Sequence, residues 1–338
     1  MKPKTRDLYD SIQKIDAHVH MNLDRDALQD VGANEGFSYM SINTDIPEFD
    51  PPKKQMETIL KRQTSGAVPV GFMTTFTMKG FGSEGWVEQS LNAIQTGLNN
   101  GACGVKIWKN IGMEIQDDQD RFVMVDDPRL DPIFEFMESN GVVLIAHLGE
   151  PKNCWLPLEE MTVSSDRDYF SRHPRYHMYK NPEFPSYEEQ LAARERRLAK
   201  HPDLKFIGLH LASLEWSVEK VARWLDAHPN AGVDLAERVC HLQYQAVDER
   251  AKVIDFVTRY QDRIIYGSDQ IDDNENVSTD EMQSTIRDKW HREFQFFAED
   301  SEQTAWNVDQ PFRGLGLPES IIHKLFRENA IRYYPRLV

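Results

Sequence analysis

The feature that most constrains this chain is a rhythm. Eight short apolar runs are separated by stretches with helical spacing. The runs are Ile15–His20, 36–44, 68–78, Gly101–Lys109, 141–147, 204–210, 231–236 and 263–269. GVVLIAH (141–147) is apolar almost throughout, as expected of a strand buried on both faces. Between the runs, Trp86–Asn99 carries Val87, Leu91, Ile94 and Leu98 at helical spacing, and Asp127 stands where a cap precedes Pro128–Ser139. Further helical stretches fall at Leu23–Val31, 50–66, Ser186–His201, Trp216–Ala227, Val247–Arg259, 279–299 and 315–335. Strands alternating with helices predict a parallel sheet with helices outside. Eight such units favour closure into an α/β (β/α)8 TIM barrel over an open doubly wound sheet. Such a barrel takes about 250 residues, and 338 leaves room for insertions. No GxGxxG follows the first run, so a nucleotide-binding sheet lacks its main support. The organisation expected is a lead-in over 1–14 and one barrel over 15–338. A stretch without period at about 148–185 is too long for an ordinary connection and reads as a lid.

Composition narrows the partners. A net charge of −16 argues against nucleic acid and anionic membrane. No stretch approaches the roughly 20 apolar residues of a membrane span. Cys103, Cys154 and Cys240 are far apart and odd in number, which fits a reducing, cytoplasmic setting better than a disulfide framework. The N-terminal residues lack an apolar run long enough for a secretory signal. The partner that remains is a small-molecule substrate.

Polar residues interrupt the apolar runs at telling places. In a barrel of this kind, chemistry sits at the C-terminal ends of the strands. His20, His147, His210 and Asp269 end runs one, five, six and eight, and Lys106 lies near the end of run four. Strand alternation puts His18 and His20 on one side, with Asp16 on the same side one layer deeper. A single histidine in such a place is usually a satisfied core residue. Several around one rim are costly without a shared partner, and a divalent cation is the natural one. Nitrogen and carboxylate donors without cysteine suit Zn²⁺ best, with Mn²⁺, Fe²⁺ or Co²⁺ compatible.

IDAHVH, GVKIW, LIAHLG, GLHLAS, YGSD and the tail LGLPESIIHKLFRENA occur in this order. With them the chain resembles the amidohydrolase superfamily. It is most similar to the amidohydrolase-related group that includes aminocarboxymuconate semialdehyde decarboxylase. The resemblance implies His18, His20, His147 and Asp269 as metal ligands. It also implies Asp269 as the group that takes a proton from water, and His210 as a second catalytic residue that polarises substrate or handles a proton. It implies one metal ion rather than two, and a homodimer. Lys106 could be carboxylated and bridge two metals, meet an anionic substrate, or hold its ammonium in solvent. Trp108 shares strand parity with Lys106 and is a candidate pocket wall.

The expected reaction is hydrolysis of an amide, ester or lactone bond by a metal-activated water. Metal-dependent non-oxidative decarboxylation on the same scaffold is the alternative. It would need a cation for the substrate carboxylate, for which Lys106, Lys109 and Arg238 are available. A barrel that only binds a ligand would require a lost ligand residue, and none is missing. The HxHxDH of metallo-β-lactamase-type hydrolases fails at Met21–Asp24, and cupins are all-β. In the insertion, HPRYH places His173 and His177 four apart. Pro174 argues for a loop there, which makes His177 a candidate substrate contact. Asp234 could face the site or serve as a buried structural carboxylate.

Overall fold

The computed structural model describes residues 1–337. Eight parallel strands form the expected barrel: β1 (Lys14–Met21), β2 (Phe37–Ile42), β3 (Val70–Met73), β4 (Val105–Ile107), β5 (Leu144–Ala146), β6 (Phe206–Gly208), β7 (Ala231–Asp234) and β8 (Ile264–Ile265). The chain then bends and adds β9 (Gln270–Asp272) beside β1. The ladders run in two arcs, β3-β2-β1-β9 and β4-β5-β6-β7-β8. Backbone hydrogen bonds span both seams. Cys103 N donates to Phe72 O at 2.8 Å and Lys106 N to Thr74 O at 2.7 Å, joining β3 to β4. Ala17 N donates to Tyr266 O at 3.0 Å and Asp269 N to His18 O at 2.8 Å, joining β8 to β1.

Inside the barrel, Ile15, Ala17, Met40, Ile42, Met73, Ile145, Ile207 and Ile265 pack together. Ala330, Tyr334 and Leu337 of the C-terminal segment close that core from below. A larger apolar layer fills the space between strands and helices. The helices follow from capping and amphipathicity: Ser186 and Glu189 form a reciprocal capping box before Tyr187–Lys200, and Ser217 caps Val218–Ala227.

Three elements differ from the sequence reading. The run ending in His210 is a strand only to Gly208, and the helix after β7 begins at Val239 rather than 247. An antiparallel hairpin, β10 (Glu302–Ala305) and β11 (Val308–Arg313), projects near the end of the chain. The segment 148–185 is built from short 3-10 turns and the helix Ser164–Arg172. It has a small core of its own around Cys154, Met161, Phe170 and Met178. No helix among the described residues is long and apolar enough to cross a membrane.

One expectation about β1 is corrected. Asp16 pairs with Tyr39 but Val19 pairs with Ser41, so β1 spends one residue more than β2 across this stretch. That bulge inverts the parity between Ala17 and His18. Ala17 and His18 both face the barrel interior, and Asp16 faces out. There it accepts from Trp290 Nε1 at 2.9 Å and Ser268 N at 2.9 Å. Asp16 therefore braces the outer layer and is not a deeper part of the site.

Candidate active site

The bulge aims His18 and His20 at the mouth of the barrel. Gly267 makes room for this: a Cβ there would lie 2.6 Å from His18 Cβ. Asp269 is reached by a sharp turn between β8 and β9, with its own φ at 61°. Its Oδ1 stands 3.0 Å from His18 Nε2 and 3.4 Å from His20 Nε2. One donor atom from each of these three residues lies within 4.8 Å of the others, and among the described residues they form the one such group.

The far side of each ring fixes its tautomer. His20 Nδ1 lies 2.8 Å from Ile42 O and His210 Nδ1 lies 2.9 Å from Ala236 O. A carbonyl only accepts, so the proton is on Nδ1 and the Nε2 lone pair is free. His18 Nδ1 sits 2.6 Å from Asp234 Oδ2 and donates to it, which turns Nε2 towards Asp269. Asp234 also accepts from His210 N, so one buried carboxylate positions two rim histidines. This is the carboxylate–histidine support seen behind metal ligands.

Electrostatics agree with this arrangement. Burial opposes the charge, yet Asp269 and Asp234 push His18 up to about 9. Burial also opposes ionisation of Asp269, but the neighbouring histidines hold its carboxyl well below the usual range. The two carboxylates thus favour positive charge here, held as a proton on His18 or as a cation in its place. His18 Nε2 is buried and, though 3.0 Å from Asp269 Oδ1, makes no well-aligned hydrogen bond. A divalent cation satisfies that atom and the carboxylate together, so the residues fit a metal.

His147 and His210 lie just outside the compact group. The His210 ring is 5.1 Å from His18 and 4.2 Å from His147, centroid to centroid. His147 Nε2 is 3.5 Å from Glu150 Oε2, and Glu150 is ion-paired with Lys109. Burial, then nearby positive charge, holds both imidazoles well below their ordinary value, so both are neutral. Lys106 is buried beside them, and burial pushes its amine down to about 8.

His210 stands where the backbone is most strained. Residues 210 to 213 have φ values of 57°, 56°, 56° and 54°, a left-handed turn without glycine. Each such residue costs roughly 1–2 kcal/mol. The turn is clamped by Tyr187 and Arg194, which donate to Ser213 O and Ala212 O, and by Ser213 Oγ, which donates to Leu148 O. Strain held this firmly marks a position built for function.

These groups open into a cavity of about 670 Å³. Trp108 and Lys106 line it, as do Phe49, Tyr169, Tyr176 and Trp306. His177 does not. It is fully buried inside the insertion, with Nε2 2.8 Å from Leu156 O and its ring against Phe170, so its expected substrate contact is corrected. Its neighbour His173 lines the cavity instead. Sequence reasoning missed Glu150, Asp166 and Trp306 as lining residues. Glu150 follows LIAHLG directly and could have been suspected from its place after strand five. Nothing in the sequence pointed to the other two.

A parallel barrel with histidines and a carboxylate converging at the C-terminal ends of β1, β6 and β8 is an arrangement that a metal ion fits. The amidohydrolase family profile matches residues 15–336, and the chain belongs to that family. An uncharacterised TIM-barrel protein from Bordetella bronchiseptica is 14% identical with a TM-score of 0.50, over 96% of this chain and 99% of that one. An amidohydrolase II structure is 13% identical with a TM-score of 0.52, over 95% of this chain and 99% of that one. A 2,6-dihydroxybenzoate decarboxylase bound to 2,6-dihydroxybenzoate is 12% identical with a TM-score of 0.51, over 95% and 99%. At these identities the likeness concerns the fold. No curated protein matches the sequence.

Proposed function

We propose that this chain is a metal-dependent hydrolase that opens an amide, ester or lactone bond in a small substrate. The observation that carries the reading is the convergence of His18 Nε2, His20 Nε2 and Asp269 Oδ1, which lie within 4.8 Å of one another. His18, His20 and Asp269 would hold the ion, with His147, on the same cavity beside His210, as the further ligand that the resemblance implies. The nitrogen and carboxylate donors suit Zn²⁺ best, and the single compact group supports one ion. When bound, the ion supplies Lewis acidity that acidifies water and polarises a carbonyl.

The protein residues then divide the proton work. Asp269 is ionised and faces the cavity, so its free oxygen takes a proton from the attacking water and passes it to the leaving group. His210 is neutral with its proton on Nδ1, so Nε2 begins as an acceptor. The resemblance allowed His210 either to polarise substrate or to handle a proton. This tautomer lets it donate from Nε2 only after it has taken a proton there. The aromatic residues around the cavity exclude water from the bound substrate.

A second reading, non-oxidative decarboxylation, is favoured by one observation: the cationic side chains Lys106, Lys109 and Arg238 line the same cavity, together with Arg172, which is ion-paired with Asp168. His210, once it has taken up a proton on Nε2, would then deliver it to the carbanion-like intermediate. Product analysis separates the two. The metal-loaded enzyme, presented with a panel of lactones, esters, amides and hydroxybenzoic acids, is expected to release a new carboxylate with an alcohol or amine. Release of CO₂ without hydrolysis overturns the first reading in favour of the second.

A further inference from the structure

Among the described residues six large apolar or aromatic side chains are exposed: Tyr169, Tyr179, Trp216, Tyr244, Ile271 and Trp306. Scattered singly, such residues are ordinary on a protein surface. Three of these six are not scattered. Tyr169, Ile271 and Trp306 all line the cavity that holds His18, His20 and Asp269, and as exposed members of its lining they form its rim. Trp306 is the most exposed of the set, at 65%.

Each comes from a different element, and each is held in place. Ile271 stands opposite His20 in the β9–β1 ladder, so the strand added after Asp269 sets an apolar residue beside a ligand strand. Phe49 also lines the cavity and continues this wall inward, its ring 5.3 Å from that of His20. Trp306 sits at the tip of the β10–β11 hairpin, whose Val308 and Phe312 are buried. That tip is strapped down. Ser164 N donates to Asn307 O at 3.0 Å, Ser164 Oγ to Asp309 Oδ1 at 3.0 Å, and Arg167 Nη2 to Asp309 Oδ2 at 2.7 Å. The same helix, Ser164–Arg172, carries Tyr169. An apolar surface fixed in advance loses little freedom when something covers it.

The charges of the rim leave that surface clear: Arg172 is paired with Asp168, and Glu237 with Lys289. A second copy of the chain or the substrate could cover it. A stable interface between copies takes about 800 Å² per partner, and three partly exposed side chains supply only a fraction of that. The patch is instead continuous with the catalytic groups through Phe49. The cavity of about 670 Å³ also has more room than a short polar ester fills, since pockets of roughly 300–1,000 Å³ take drug-sized ligands.

We propose that the rim of Tyr169, Ile271 and Trp306 receives an uncharged apolar tail of the substrate, so that the site prefers alkyl-bearing esters, lactones or amides over short polar ones. The reacting carbonyl lies by Asp269, and the tail runs past Phe49 to Trp306. The proposal rests on the reading of this cavity as the substrate site, and it makes Trp306 a specificity-determining residue.

The methyl ketones butanone, hexanone and octanone test this, because they present a carbonyl with no bond to hydrolyse. Calorimetric titration of the zinc-loaded chain is expected to show binding that tightens roughly fourfold to fifteenfold for each two added carbons. Trp306→Ser should flatten that rise and Ile271→Ser should reduce it. Tyr244→Ser, which changes an exposed aromatic outside the cavity, should keep it. A flat series on the wild type overturns the proposal, even if Trp306→Ser fails to fold. So does a rise that Trp306→Ser leaves intact. Sedimentation of the same samples covers the second copy: a wild-type dimer that Trp306→Ser dissociates, with the ketone series unchanged, assigns the rim to self-association and overturns the proposal. A chain that hydrolyses nothing in the substrate panel yet shows the ketone rise loses the hydrolase reading and keeps this one.

Discussion

Asp269→Asn is expected to lower turnover by roughly 10²–10⁴-fold, the contribution of a positioned acid–base group, while the protein still folds and keeps part of its metal. Asparagine preserves the shape of the side chain and one oxygen donor. It cannot take a proton from water, and it removes the negative charge that raises His18. The backbone turn at φ 61° is one that asparagine tolerates among non-glycine residues, so the loop should hold. Steady-state kinetics on a substrate found in the panel, with metal content measured on the same sample, checks this. Turnover within a few-fold of wild type would remove Asp269 from the chemistry.

The second large effect concerns a residue that touches no substrate. Gly208→Ala is expected to cost about 1–3 kcal/mol of stability, as overpacking does, and to lower turnover by displacing His210. The left-handed turn from His210 to Ser213 folds the chain back onto Gly208. An added Cβ would stand 2.5 Å from Ala212 Cβ and 3.0 Å from Ala212 Cα. Urea unfolding gives the stability. The second variant Ala212→Gly, made in the Gly208→Ala background, should recover part of both losses. It removes the clashing atom and relieves a positive φ. Wild-type stability in Gly208→Ala alone would show that the turn is looser than its clamps suggest.

Much of this architecture was legible because barrels expose their logic in one dimension. Each strand needs a continuous apolar run, each helix an amphipathic one, and each rim group ends a run. His18, His20, His147, His210 and Asp269 were singled out that way, and all five line the one cavity. What stayed hidden depends on pairing between segments distant in sequence. The bulge at Ala17–His18 is one residue of register set by β2 and β8, and it turned Asp16 outward against simple alternation. The left-handed turn at GLHLAS carries no glycine after His210, so no local signal betrays it. The hairpin Glu302–Arg313 is largely polar and contains Pro311, which demotes a strand reading, yet its tip brings Trp306 to the cavity. Asp234 was left between two roles. Its place, 2.6 Å behind His18, is a positioning one. His177 misled because spacing within a loop says little about which side faces inward.

The central claim is that His18, His20 and Asp269 hold one divalent ion. Elemental analysis of the purified chain, together with His18→Ala and His20→Ala, tests it most directly. The account predicts close to one equivalent of zinc, or of manganese, iron or cobalt, per wild-type chain, with most of it lost in either variant. A wild-type chain that takes up no metal when supplied with it, or variants that retain a full equivalent, would contradict it.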